Sequence, residues 1–146
     1  MINLKNIHIG NLIESRWKEL GIPMKRTCNF FKLNEEEIEK MFQLSDMNSA
    51  YILKWCKLLD YDFFRIYSQH LILYSPVQKN INLKNISLPQ FRKSIYTKEI
   101  IDFILNEIST GEKSIQQVIE NYRIPRTTLH KWINKYNQQN KDKTDS

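Results

Sequence analysis

Seven residues in one short stretch, Arg126, Thr127, Thr128, His130, Lys131, Asn134 and Lys135, bring donors and positive charge together. No carboxylate stands between Arg126 and Asn140. Guanidinium and ammonium groups take phosphate oxygens, and short Thr, His and Asn side chains reach phosphates or base edges. The chemistry on offer is recognition of a polyanion. In the same stretch Leu129, Trp132, Ile133 and Tyr136 recur at i, i+3, i+4 and i+7, which predicts a helix with one apolar face. Thr127, His130, Lys131, Asn134 and Gln138 fall on the opposite face. The bland alternative is the solvated side of an ordinary core helix, which is polar by default.

Bond-making chemistry has little to stand on. The chain has no Gly-rich phosphate loop, no His-Glu-x-x-His and no nucleophile elbow. His130 shares its face with no carboxylate, and His8 and His70 lie in other elements. Cys28 and Cys56 form no Cys-x-x-Cys pair and read as reduced residues of apolar helix patterns. We expect no catalytic residue, no metal ligand and no cofactor.

The elements that must position the basic stretch can be read outward from it. The chain has 146 residues, enough for one ordinary domain or two small ones, and 41% of them are hydrophobic, enough to bury a core. Only 3 Gly and 4 Pro interrupt it, and no Asn-Gly or Asp-Gly hairpin signal occurs, so the class is all-α. Thr97 is placed to cap a helix with Ile100, Ile101, Ile104, Leu105 and Ile108 inward, ended by Gly111. Ser114 caps the next, with Ile115, Val118, Ile119 and Tyr122 inward. A short break follows, and Pro125 stands at the start of the last helix, where its missing N–H costs nothing. Residues 141–146 form a polar tail that should fray.

Upstream, residues 1–74 predict five short helices. Ile9, Leu12, Ile13, Trp17 and Leu20 mark the first, stopped by Gly21 and Pro23. Met24 to Phe31 makes the second, with Cys28 and Phe31 inward. Asn34 caps the third and Glu37 closes a capping box, with Ile38, Met41 and Phe42 buried. Asn48 to Leu59 and Asp62 to Ser68 supply the fourth and fifth. Between the modules, residues 75–95 carry Lys79, Lys84, Arg92 and Lys93, no acid and no sustained period, and read as a basic linker. Arg92 and Lys93 are auxiliary phosphate candidates.

Charge is unevenly spread. Residues 1–74 hold ten Lys+Arg and nine Asp+Glu, a balance of +1, and residues 75–146 hold twelve and seven, a balance of +5. Together they give the net +6 of the whole chain. A basic second half raises the prior for nucleic acid. No apolar run reaches the roughly 20 residues of a membrane span, and the N-terminus has no signal-peptide pattern, so a cytoplasmic location is expected.

Residues 96–136 resemble the helix-turn-helix domain at the N-terminus of many insertion-sequence transposases, most specifically in Ile124-Pro125-Arg126-Thr127-Thr128-Leu129-His130-Lys131-Trp132. Residues 9–68 resemble the lambda-repressor or Cro-like fold in helix count and in Leu58-Leu59-Asp60. There the chain departs from the pattern. The third helix, which reads DNA in that family, begins here with Asn34-Glu35-Glu36-Glu37, a poor match for duplex phosphates.

Together these readings imply two small helix-turn-helix bundles joined by a basic linker, with residues 96–140 as the DNA-binding domain. Double-stranded DNA is the expected partner. Thr127, His130, Lys131 and Asn134 are base-edge candidates; Arg126, Thr128 and Lys135 are phosphate candidates. The N-terminal module would hold a second copy or another protein. The role implied is transcriptional regulation or accessory DNA binding in a mobile element. A protein-interaction adaptor and the DNA-targeting subunit of a transposase with a separate catalytic chain are the alternatives.

Overall fold

The computed structural model describes residues 2–75, 84–85, 87–89 and 96–144. They form eight helices and no strand among the described residues. The chain divides into two compact units, 1–71 and 72–146.

The first unit holds α1 (Ile9–Leu20), α2 (Met24–Phe31), α3 (Glu35–Phe42), α4 (Ser49–Leu59) and the start of α5 (Phe64–Tyr74). Local chemistry explains the boundaries. Gly21 ends α1 at φ 62°, a left-handed conformation that costs glycine nothing. Asn34 accepts from the Glu37 N–H while the Glu37 carboxylate accepts from the Asn34 N–H, the reciprocal capping box expected from sequence. The Asp62 carboxylate accepts the N–H of Phe64, and α5 runs on to Tyr74, beyond the expected stop at Ser68.

The core of this unit is aromatic. Trp55 is fully buried, with the Phe31 ring at 4.4 Å and the Phe42 ring at 5.6 Å, and its indole N–H points at Met41 Sδ, 3.3 Å away. Trp17 donates to the buried hydroxyl of Thr27 at 2.9 Å, which in turn donates to the Pro23 carbonyl. Trp55→Ala would therefore cost about 3–5 kcal/mol. Close packing of α1 on the end of α3 requires Gly10. A Cβ there would lie 2.7 Å from the carbonyl oxygens of Met41 and Leu44 and closer still to that of Phe42. The N–H groups of Ile9 and Gly10 donate to the carbonyls of Ser45 and Leu44 at 3.2 and 2.9 Å. Leu20, expected on the inward face, is exposed, because Gly21 turns the chain away at that point.

The second unit holds α6 (Lys98–Ser109), α7 (Ile115–Tyr122) and α8 (Arg126–Thr144), with α6 packed on both of the others. Thr97 and Ser114 cap α6 and α7 as their spacing predicts. Ile100, Ile104, Leu105, Val118, Ile124 and Leu129 make a buried aliphatic core. Ile115, expected inward, is exposed at the first turn of α7. The expected linker at 75–95 falls largely on residues outside those described, Lys79, Arg92 and Lys93 among them. No helix among the described residues is long and apolar enough to cross a membrane.

Candidate nucleic-acid interface

The candidate interface is built from α7, a tight turn and α8. Arg123 closes α7 in a left-handed conformation, φ 52°. Ile124 follows, 1% exposed, and pins the turn to the core. Pro125 then precedes Arg126, the first residue of α8. Leu129 is fully buried, Trp132 and Ile133 are half-buried, and the Tyr96 ring meets Trp132 edge-on at 4.9 Å. Tyr136 is 44% exposed. The anchoring stripe therefore ends near Ile133, and α8 continues past its packing. Residues 141–144, expected to fray, belong to the same helix.

Anchoring through Leu129 decides where the polar residues point. Thr127, His130, Lys131, Asn134 and Lys135 are exposed, and Thr128 is half-buried beside Leu129. The longer helix brings Asp142 into the account. At 100° per residue it falls between Lys131 and Lys135, so the last turn adds one acid to an otherwise acid-free side. Arg126 is exposed and held: its Nη2 donates to Gln116 Oε1 at 2.9 Å, and Gln116 Nε2 donates to Glu120 Oε1 at 2.8 Å. Arg92 and Lys93 lie outside the described residues.

The same unit holds a polar cluster that residue spacing did not reveal. Glu107 is 6% exposed. Lys113 Nζ donates to Glu107 Oε1 at 2.9 Å and to the Tyr122 hydroxyl at 2.7 Å, and that hydroxyl donates to Glu107 Oε2 at 2.7 Å. The three residues join the end of α6, the turn and the last residue of α7. Burial pushes the Tyr122 phenol up, assisted by its bond to Glu107 and opposed by Lys113. For Lys113, burial acts to lower the ammonium, but the bonds to Tyr122 and Glu107 outweigh it and raise it. The cluster braces α7, the helix against which Arg126 rests. It faces the turn between α6 and α7 and holds no residue of the basic stretch.

The corresponding turn in the first unit has the same local plan. Lys32 closes α2 at φ 56°, two residues follow, and α3 begins. Its first turn is Glu35-Glu36-Glu37, and Glu36 is paired with Lys40 at 3.3 Å. No group of three or more His, Cys, Asp or Glu side chains among the described residues could hold a metal ion. No family model matches this chain, and no curated protein or solved structure is significantly similar to it.

Proposed function

We propose that the protein binds double-stranded DNA without cutting it, docking α8 in the major groove from Arg126 to Gln138. The observation that carries this reading is the exposure of Thr127, His130, Lys131, Asn134 and Lys135 on a helix held from behind by Leu129. A roughly 12 Å wide major groove admits one helix with its outward side chains. Thr127, His130, Lys131 and Asn134 then address base edges. Arg126, Lys135 and the partly turned-in Thr128 address phosphates, joined by Arg92 and Lys93. Supported by the resemblance of residues 96–136 to transposase helix-turn-helix domains, the role is a transcriptional regulator or an accessory DNA-binding protein of a mobile element.

The first unit serves a protein partner or a second copy in this reading. Support comes from the exposed Phe30, Tyr51 and Leu53, together with the acidic opening of α3. Titration of full-length protein against duplexes over a range of salt tests the DNA reading. Log affinity should fall with log salt at a slope of about −0.9 for each phosphate neutralised. A flat response, or no binding at low salt, leaves the adaptor reading in its place. Selection of bound sites from random duplexes would then give the sequence and, through a palindrome, the stoichiometry.

A further inference from the structure

We infer that Gln116 is a positioning residue for DNA binding, setting the Arg126 guanidinium through a bridge that Glu120 completes. The inference rests on the DNA reading above. Three groups of different hydrogen-bonding character are joined in order. Arg126 has donors alone, the Glu120 carboxylate has acceptors alone, and the Gln116 amide has one of each end. The amide can satisfy both neighbours in one orientation: carbonyl toward Arg126 at 2.9 Å, NH2 toward Glu120 at 2.8 Å. Turned over, it would set NH2 against guanidinium and carbonyl against carboxylate. Glu120, one turn along α7, therefore fixes which way Gln116 faces.

The consequence for Arg126 is restraint without neutralisation. The ion pairs among the described residues do not include Arg126 with Glu120. Its partner is a neutral carbonyl, and one of five N–H donors is used, so the remainder of the fork stays available to a phosphate. An exposed arginine otherwise loses rotamer freedom when it docks. Restraint before docking removes part of that cost. Glutamine suits the position for a chemical reason. Glutamate at 116 would repel Glu120 and turn the Arg126 contact into an ion pair, while asparagine is one methylene shorter.

The test uses the full-length protein and one duplex, titrated over a range of salt, with circular dichroism as the check on folding. Gln116→Met keeps the side-chain length and loses both bonds. It should weaken binding by about three- to tenfold with the salt slope unchanged, because the charge of Arg126 remains. Gln116→Glu should reduce the slope by about 0.9, as Arg126→Ala does, because one phosphate contact is lost. In an Arg126→Ala background both Gln116 substitutions should be silent. An equal effect of Gln116→Met in that background would show that Gln116 acts on DNA by itself, and overturn the inference. Steep salt dependence with Gln116 variants equal to wild type would overturn it and leave the DNA reading standing. A wild-type protein that binds no duplex would overturn both.

Discussion

The turn from α2 into α3 and the turn from α7 into α8 share a frame and differ in what they present. Each follows an eight-residue helix, closes on a basic residue in the left-handed region, Lys32 or Arg123, and starts the next helix after two more residues. One then presents Glu35, Glu36 and Glu37; the other presents Arg126, Thr127 and Thr128. A helix N-terminus favours acids through its dipole, so the first solution stabilises its own helix. The second gives up that term and offers a base and hydroxyls instead. Backbone geometry makes a helix available, and the side chains of its first turns decide for what.

The largest expected effect tests whether α8 depends on its buried stripe. Leu129→Ala should destabilise the second unit by about 2–5 kcal/mol, seen as faster amide exchange in α6 to α8 with α1 to α4 protected as before. Trp132→Ala should cost less, since Trp132 is half-buried and Leu129 is the deeper anchor. Equal losses would shift the anchor to Trp132.

Lys131→Glu should weaken duplex binding by about 1–3 kcal/mol while helical content stays constant. Undiminished affinity at moderate salt would erase the functional difference we propose between the two turns. Gly10→Ala attacks the other unit. The added methyl meets backbone carbonyls that cannot rotate away, so a loss of about 1–3 kcal/mol is expected, confined by amide exchange to α1 to α4.

Alkaline pH should separate the units more gently. Tyr96, Lys113 and Tyr122 in the second unit are all raised in the folded state, against Tyr67 in the first. Burial is the leading cause for the tyrosines; bonds to Tyr122 and Glu107 outweigh it for Lys113. A raised group holds its proton better folded than unfolded. Its contribution is complete below the unfolded value, about 10 for both residue types, and fades as pH climbs through the folded one. Chemical denaturation followed from neutral pH to pH 11 should therefore show the second unit weakening first. The smallest effect is expected at α3. Replacing Glu35 and Glu36 with Gln should leave duplex affinity within about threefold at physiological salt, where the Debye length is about 8 Å. Clear tightening would mean that this helix lies near DNA after all.

Much of this architecture was legible because its signals are local. Caps act within a turn, so Asn34, Thr97 and Ser114 announced their helices, and Gly21 announced an end. The stripe of Leu129, Trp132 and Ile133 was legible from its period, which also located the exposed side of α8. Where the stripe stops was not. Tyr136 keeps the period yet is exposed, because the period carries no information about which neighbours stand against a residue.

The sequence by itself determined the all-helical class, the caps at Asn34, Thr97 and Ser114 and the basic, acid-free run from Arg126 to Asn140, because each depends on residues close along the chain. Tertiary structure alone decided the contacts made across the chain. Gly10 carries no local signal, and its need to lack a side chain is set by the carbonyls of Met41, Phe42 and Leu44 laid against it. Glu107, Lys113 and Tyr122 share no helical spacing, and they meet because the turn after α6 folds α7 back over it. Gln116 and Arg126 lie ten residues apart on two helices, and the Arg123 turn closes the distance to a hydrogen bond. Such contacts are set by the packing of whole helices, a non-local quantity that no window of sequence encodes.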